Sequence, residues 1–250
     1  EKIIRSGLFK NVILNGSAED NGTTIGAALT ASNALIGKRV AEPVTDYYGR
    51  TYTKDEILTA LDKFPFAYER LKENQIYDKV ASLIHDNKVV GWFQERSEFG
   101  PRALGNRSIL ANPSNLNMKY ILDLQIKCRD RYRPYAPVVL EEHASQYFDI
   151  EGGSPVMMRE GKVLISNFPA ITHRDGFARV QTVKKSDNER FYKLIQSFKK
   201  LSGVPIILNT SFNLPGEPIV ESPIDALNSF SNGTLDYLCV GNYLLSRKNR

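Results

Sequence analysis

The sequence predicts a mixed α/β fold in which helices cover a sheet. Two patterns indicate this class. Short apolar runs between glycine, proline or polar residues are typical of buried strands, and longer segments with apolar residues three or four positions apart are typical of amphipathic helices. Both kinds of segment occur along the 250 residues, and a hydrophobic content of 42% with 24% charged residues is ordinary for a globular protein.

The first elements along the chain are predicted to be a strand, a loop and a helix. Residues 12–15 (VILN) suit a short strand, residues 16–22 form a polar loop, and the alanine-rich residues 24–35 suit a helix that ends near Gly37. Residues 38–50 contain proline and glycine and have no clear period, so we expect a linker there.

The rest of the chain carries clear helix and strand signals. Thr53 with Glu56, and Ser222 with Asp225, have the spacing of capping boxes, which mark helix starts. Helices are expected over residues 54–63, 76–84, 116–127 (capped by Ser114 or Asn115), 191–201 and from 223 onward. Strands are expected over residues 89–93, 138–140, 205–208 and 237–240, and within 155–183, where turns are predicted at 160–161 and 175–176.

Positive charge is concentrated in one segment. Residues 96–133 carry a net charge of +5, which equals that of the whole chain. A solvated helix face is the alternative explanation, and we favour it for Lys119, Arg129 and Arg131. Nucleic acid would fit the charge, but aromatic residues are sparse in this segment and the rest of the chain is not basic, so a small polyphosphate is favoured over RNA or DNA.

Two arginines of this segment follow glycine-containing turns. Arg102 comes after Gly100-Pro101, and Arg107 comes after Gly105-Asn106. A rigid turn can aim a guanidinium group, which binds phosphate oxygens through two parallel hydrogen bonds. The alternative is that one of these arginines pairs with a nearby glutamate and only fastens the loop.

Further candidate ligands follow a helix and a strand. Lys127 ends the predicted helix, and Arg133 precedes two prolines and an apolar strand, so we expect Arg133 to point inward. Small polar side chains in a predicted loop at the end of the strand over 205–208 suit ligand binding, although turn formation would explain one of them: Asn209, Thr210, Ser211 and Asn213.

The remaining candidates carry less weight. Asp20 opens a polar turn before a helix, which could bind phosphate or a divalent metal. The three histidines have no ligand spacing, and the two cysteines, Cys128 and Cys239, are too few for a disulfide framework, which favours a reducing, cytoplasmic location. No apolar stretch approaches a membrane span, and the start without methionine indicates an excised piece of a longer protein.

Six segments, in this order, resemble the O-carbamoyltransferases of the nodulation and antibiotic-tailoring type. They are GWFQ (91–94), EFGPRALGNRSILA (98–111), YRPYAP (132–137), ARVQTV (178–183), LNTSFN (208–213) and GEPIV with DA (216–220 and 225–226). One departure is Glu95, which stands where the family pattern leads us to expect glycine and would alter the rim of the pocket.

The resemblance implies a division of the chain. Residues 1–37 would be the tail of an N-terminal, actin/sugar-kinase-like domain that transfers the carbamoyl group, and residues 38–75 a linker with a short helix. Residues 76–250 would be a YrdC-like domain, a twisted mixed sheet covered by helices, which makes carbamoyl-adenylate from carbamoyl phosphate and ATP with Mg²⁺. A hydroxyl compound would be the acceptor, and the missing N-terminal domain the partner.

The resemblance also implies roles for individual residues. The catalytic cations would be Lys127, Arg133 and Arg102. The phosphates and the carbamoyl group would be held by Arg102, Lys127, Arg133, Arg179, Asn209 and Ser211, with Arg107 and Thr210 as neighbours. Asp20 would help to bind a divalent metal, iron, of the transfer domain, whose His-x-x-x-His partner is absent from these residues.

Two other functions compete with this one. A threonylcarbamoyl-adenylate synthase would share the C-terminal fold and use threonine and bicarbonate. A non-catalytic RNA-binding module would use the basic segment, with an affinity that falls steeply with salt and is indifferent to ATP.

Overall fold

A computed structural model describes residues 1–14, 16, 18, 20–37 and 46–249 of the chain. The strands are β1 (Phe66–Arg70), β2 (Val90–Phe93), β3 (Arg107–Ala111), β4 (Ala136–Leu140), β5 (Phe148–Asp149), β6 (Arg159–Val163), β7 (Phe177–Val183), β8 (Ile206–Ser211), β9 (Tyr237–Val240) and β10 (Tyr243–Asn249). The helices are α1 (Lys2–Arg5), α2 (Asp20–Ile36), α3 (Lys54–Leu61), α4 (Glu73–His85), α5 (Met118–Ile121), α6 (Ala144–Tyr147), α7 (Glu189–Ser202) and α8 (Pro223–Asn232). A π-helical turn, Leu122–Ile126, continues α5, and a 3₁₀ turn, Glu141–His143, precedes α6.

The strands of the described residues form one mixed sheet in the order β1-β10-β9-β2-β3-β8-β4-β7-β6-β5. The pairs β2 with β9 and β4 with β7 are parallel, and the other pairs are antiparallel. The mixed α/β class predicted from the sequence is confirmed.

Helices cover both faces of this sheet. Successive strand residues point to opposite faces, and Ile207 accordingly belongs to a different apolar cluster from Ile206 and Leu208. The cluster around Ile207 includes side chains of α4 and α7, and the other includes α3, α5 and α8. Because both faces are covered, the central strands β2, β3 and β4 are buried at every position.

Most of the predicted helices are confirmed, together with both capping boxes. The Thr53 hydroxyl accepts a hydrogen bond from the Glu56 amide (3.3 Å), and the Ser222 hydroxyl accepts one from the Asp225 amide (3.2 Å). The helix expected over 24–35 is α2, which begins four residues earlier. Most of the linker predicted over 38–50 lies outside the described residues.

The strand predicted over 12–15 is wrong for the residues described there. Residues 11–14 belong to no helix or strand, and Asn15 lies outside the described residues. Ile13 is 91% exposed. An apolar run becomes a strand only where another strand can pair with it, and among the described residues none is beside this segment.

The prediction of a turn at 160–161 is also wrong, whereas the turn at 175–176 is confirmed. Glu160 and Gly161 lie inside β6, where they pair with Arg179 and Ala178 of β7. A glycine next to a charged residue suggests a turn, but an edge region of a sheet tolerates both residues when backbone pairing is available.

The helix predicted over 116–127 differs at both ends. Asn117 is its N-cap, and neither Ser114 nor Asn115 caps it; the Asn115 side chain instead accepts a hydrogen bond from the Asn117 amide (2.8 Å). At the other end the helix widens into the π turn, in which the Lys127 amide donates to the Leu122 carbonyl (2.8 Å). This bond spans five residues instead of four and therefore rotates Lys127 relative to an ordinary helix.

The polar loop predicted over 209–213 is mostly strand. β8 continues through Ser211 because Asn209 and Ser211 pair with Leu110 and Ser108 of β3. Short polar side chains favour turns in isolation, but a neighbouring strand already in place outweighs that preference.

Candidate functional site

Lys127 is a buried lysine at the centre of the candidate site. It is 8% exposed, and its side chain leaves the π turn toward the end of β8. The ammonium group donates to the Ser211 carbonyl (2.5 Å) and hydroxyl (3.3 Å), and to the Asn213 carbonyl (3.0 Å) and side-chain oxygen (2.9 Å). The structure thus brings together Lys127 and Ser211, two of the residues that the sequence analysis assigned to the ligand; their role in binding stays a prediction.

Burial has an electrostatic effect on this lysine. The pKa of Lys127 is lowered to about 7, first because burial disfavours the charged form and second because Arg129 repels it; Glu217 acts in the opposite direction. The ammonium is therefore close to its midpoint at neutral pH, and an approaching anion would favour the charged form.

Asn209 lies on the same face of β8 as Ser211, two residues earlier. Its side chain is buried, and its Nδ2 donates to the Ala103 carbonyl (3.1 Å) and to the Oε1 of Gln181 (2.8 Å). The Gln181 amide in turn donates to the Leu104 carbonyl (2.8 Å). These bonds attach the segment that follows Arg102 to the sheet.

Glu98 fastens the other side of the same turn. Its Oε1 accepts hydrogen bonds from the backbone amides of Leu104 (2.6 Å), Asn106 (2.8 Å) and Arg107 (3.3 Å). Burial raises the pKa of Glu98, and the amides of Asn106 and Leu104 act in the opposite direction. The turn that carries Arg102 is therefore held by a buried carboxylate.

Arg102 and Arg179 are both half-buried. Arg102 adjoins Ala103, whose carbonyl is bound by Asn209, and Arg179 precedes Gln181 by two residues on the same face of β7. These bonds group the Arg102 turn with Asn209. Ser211, which bonds to Lys127, lies on the same face of β8 as Asn209. Thr210 points to the opposite face of β8, at the position that pairs with Ile109.

Arg107 lies apart from this group, in the interior. It is fully buried, and its guanidinium donates to the carbonyls of Glu221 (3.2 Å), Gln94 (2.5 Å), Asn106 (3.2 Å) and Glu95 (3.3 Å). The guanidinium carbon is 3.6 Å from the centroid of the Phe93 ring. Burial lowers its pKa to about 10. Arg107 therefore fastens the loop, which is the alternative role considered in the sequence analysis. Its partners are backbone carbonyls, whereas that alternative expected a glutamate side chain.

Arg129 is not plain surface charge, and that interpretation is wrong. The side chain of Asp123 is buried and accepts hydrogen bonds from Lys119 (2.7 Å) and the Tyr135 hydroxyl (2.8 Å), and the Arg129 Nε lies 3.5 Å away. The Arg129 guanidinium is 4.3 Å from the centroid of the Tyr135 ring. A buried carboxylate requires such partners, and it organises the segment between Lys127 and β4. Arg131 is exposed, as predicted.

Arg133 is exposed, so the prediction that it points inward is wrong. Proline after an arginine restricts only the backbone, and the inward direction in this segment is taken by Tyr135, which bonds to Asp123. The Arg133 carbonyl accepts a hydrogen bond from Lys119 (2.7 Å), which fixes the backbone and leaves the side chain at the surface.

Asp20 is the exposed first residue of α2. Among the described residues, histidine, cysteine, aspartate and glutamate form no cluster of three or more that could hold a metal ion. A single carboxylate does not fit a divalent metal centre, which needs several ligands. Within the same residues no helix has the length and apolar character needed to cross a bilayer.

The predicted site residues did not include half-buried Glu98 or the buried Asp123 and Gln181. Gln181 could have been noticed, because it lies within ARVQTV, one of the segments that carry the family resemblance, two residues after Arg179. The partners of Glu98 and Asp123 depend on the fold and carry no local signal.

A family model described as the carbamoyltransferase C-terminus matches residues 81–247, most of the described chain. The chain belongs to the carbamoyltransferase family. Its relatives include nodulation protein NolNO of Sinorhizobium fredii, 41% identical over 99% of this chain and 38% of its own length. Nodulation protein NolO of Bradyrhizobium diazoefficiens is 39% identical over 99% of this chain and 46% of its own length.

A third relative is the 3'-hydroxymethylcephem-O-carbamoyltransferase of Amycolatopsis lactamdurans, 34% identical over 88% of this chain and 41% of its own length. The chain thus spans less than half the length of these relatives. Among solved structures, full-length HypF in its phosphate- and nucleotide-bound form matches with a TM-score of 0.46 and 14% identity, over 74% of this chain and 22% of that chain. A likeness this weak does not bear on function.

Proposed function

We propose that this chain is the carbamoyl-activating part of an O-carbamoyltransferase. It would form carbamoyl-adenylate from carbamoyl phosphate and ATP, and a transfer domain outside this chain would pass the carbamoyl group to a hydroxyl acceptor. The observation that carries the proposal is the buried Lys127 ammonium at the end of β8, beside the Asn209–Ser211 face, in a chain of this family.

The reaction divides into two steps. Water converts carbamoyl phosphate into carbamate and inorganic phosphate. A carbamate oxygen then attacks the α-phosphorus of ATP, the bond from this phosphorus to the β-phosphate bridging oxygen breaks, and pyrophosphate leaves. Both steps ask the protein to neutralise and align phosphate oxygens, and neither requires a side-chain nucleophile.

The side chains of the site suit this task. Lys127, Arg102 and Arg179 would balance the phosphate charge, and Ser211 and Asn209 would orient the neutral part of the ligand. The Lys127 ammonium bonds four oxygens of Ser211 and Asn213, so it would exchange part of this shell for ligand oxygens. Arg133 remains a predicted catalytic residue that would act from the exposed 130–134 segment.

Mg²⁺ would enter with ATP. It needs near-octahedral oxygen coordination and often keeps several waters, with one or two carboxylates and the phosphates as ligands. The described residues have no acidic cluster for it, which fits an ion bound mainly by the triphosphate and water. It would supply charge neutralisation at the β- and γ-phosphates, and Lys127, Arg102 and Arg179 would balance the remaining phosphate charge.

The test is release of pyrophosphate from ATP and Mg²⁺ by this chain, with and without carbamoyl phosphate. We expect release that depends on carbamoyl phosphate, and no release when threonine and bicarbonate replace it. Lys127→Ala and Arg133→Ala should each reduce the rate at least about tenfold with the fold intact, whereas Lys79→Ala, at an exposed position of α4, should not.

Each outcome has a distinct meaning. Normal activity in both alanine variants would overturn the assignment of the cations. ATP binding without pyrophosphate release would mean that the part of the relatives outside this chain completes the site. Release supported by threonine and bicarbonate would identify a threonylcarbamoyl-adenylate synthase instead.

A further inference from the structure

The orientation of the Asn209 side-chain amide is determined by its surroundings. The nitrogen and oxygen of an amide differ in function, since NH₂ only donates hydrogen bonds and the oxygen only accepts them. The Ala103 and Leu104 carbonyls can only accept. Gln181 must therefore turn its nitrogen to Leu104, which leaves its oxygen facing Asn209, at 2.8 Å from the Asn209 nitrogen.

Asn209 consequently uses both of its N–H groups inside the protein. One goes to the Ala103 carbonyl (3.1 Å) and the other to Gln181. Its Oδ1 is buried and has no hydrogen-bond partner among the described residues. A buried acceptor without a donor is costly, and a ligand that donates a hydrogen bond to it would remove this cost.

The position of Asn209 indicates which ligand atoms it meets. It adjoins the turn that carries Arg102, and it lies on the face of β8 that also presents Ser211. An oxygen in this place repels phosphate oxygens and attracts an N–H group. This step rests on the function proposed above. In that reaction the ligand that carries an N–H group is carbamoyl phosphate, in which it lies next to a phosphate, or the carbamate made from it.

We propose that Gln181 is a positioning residue: it orients the Asn209 amide so that its oxygen accepts a hydrogen bond from the carbamoyl NH₂ group. Asn209 is then a specificity residue for a carbamoyl rather than an acetyl group, and it is not a phosphate ligand. An acetyl group has nearly the same shape but leaves the buried oxygen unpaired.

The experiment uses two stable phosphonates that differ only at this group. Phosphonoacetamide carries NH₂, and 2-oxopropylphosphonate carries CH₃ in its place. Calorimetric titration of the whole chain gives the ratio of their dissociation constants, and we expect the amide to bind about tenfold more tightly. In Gln181→Met this ratio should fall at least about threefold, while the affinity for 2-oxopropylphosphonate stays the same.

Gln94→Met is the matched control. Gln94 is as buried as Gln181, but its amide donates to the Gly241 carbonyl (3.0 Å) and the Cys239 sulfur (3.3 Å), away from Asn209. This variant should keep the wild-type ratio. The Gln181 variant should fold, because the Leu104 carbonyl retains a hydrogen bond from the Tyr47 hydroxyl (3.1 Å).

The wild-type comparison decides the acceptor role even without a variant. Equal binding of the two phosphonates would overturn the acceptor role of Asn209 toward the carbamoyl group, while the proposed function would stand. The Asn209 oxygen would then accept a hydrogen bond from a donor group of ATP instead. An unchanged ratio in the Gln181 variant would overturn the positioning role. Binding of neither phosphonate would overturn the proposed function as well.

Discussion

Lys127 combines burial with a large number of hydrogen-bond acceptors. The Ser211 and Asn213 oxygens around its ammonium favour the charged form, whereas burial and Arg129 lower its pKa to about 7. Because this pKa is close to neutral pH, a negative charge bound nearby changes the protonation of Lys127 strongly. Ligand binding and protonation at this residue should therefore be linked.

We expect phosphonoacetamide to bind with uptake of a proton, up to about one per molecule, at pH 8. The Lys127 amine is mostly neutral in the free chain at this pH, because its pKa is about 7, and the bound dianion raises that pKa. Calorimetry in two buffers with different ionisation enthalpies measures the uptake. Lys127→Arg should take up almost none, since a guanidinium is already charged; equal uptake in this variant would contradict the prediction.

Glu98 holds the Arg102 turn through three backbone amides. Glu98→Ala leaves three amides, those of Leu104, Asn106 and Arg107, without their acceptor. We expect the free energy of unfolding to fall by about 2 kcal/mol or more, measured by urea denaturation. Glu69→Ala, at an exposed position of β1, should change it by less than about 0.5 kcal/mol. A similar small change in both variants would mean that the turn does not need its carboxylate.

The two arginines after the glycine turns show the limit of local sequence patterns. Arg102 and Arg107 have similar neighbours in sequence, but Arg107 begins β3 and is enclosed over Phe93, whereas Arg102 stays half-buried in the turn. The difference arises from strand pairing, since β3 lies between β2 and β8. Nothing within a few residues of either arginine contains that information.

At the scale of elements, the π turn after α5 places Lys127. A π turn inserts one extra residue into a helix and often occurs at functional sites. Here Leu122 and Ile126 pack in the core on either side of the exposed Leu124, and Lys127 then points to β8.

Deleting Leu124 should convert the π turn into an ordinary helical turn. Lys127 would then move by one helical position, a rotation of about 100°, away from Ser211 and Asn213. We expect carbamoyl phosphate-dependent pyrophosphate release to fall about a hundredfold, with the circular dichroism spectrum retained. Leu124→Ala, which keeps the register, should remain active. Full activity of the deletion variant would show that the π turn is not needed.

The sequence predicted elements best where a single physical signal dominates. Capping residues located the starts of α3 and α8, and apolar spacing located α4 and α7, because these signals are local. The strands that were not predicted include β1, β3 and β10, and β8 was predicted too short. Each of these strands owes its existence or its length to a partner far away in sequence.

At the scale of the whole molecule, the N-terminal residues contribute little to the core. None of the residues described in α2 is buried, and Leu35 is 86% exposed. Polar contacts join the start of the chain to the rest, such as the Arg5–Asp149 (2.8 Å) and Arg159–Glu1 (3.0 Å) ion pairs. This fits the prediction that residues 1–37 belong to another domain, which remains a prediction.

Leu35→Glu should therefore leave the free energy of unfolding within about 0.5 kcal/mol of the wild-type value. Leu227→Ala, in the fully buried part of α8, should lower it by about 2–5 kcal/mol under the same conditions. Urea denaturation of both variants measures the difference. A cost above about 1.5 kcal/mol for Leu35→Glu would mean that α2 packs against the described core after all.

The two edge strands of the sheet, β1 and β5, affect the tendency of the protein to aggregate at high concentration. β5 has only two residues, and β1 carries exposed Glu69 and Arg70 and a register irregularity against β10 between Phe66 and Tyr68. Short length, charge and a bulge each make an edge strand a poor template for a further strand. A sheet of this width thus ends in strands that resist edge-to-edge aggregation, which keeps neighbouring molecules from joining their sheets.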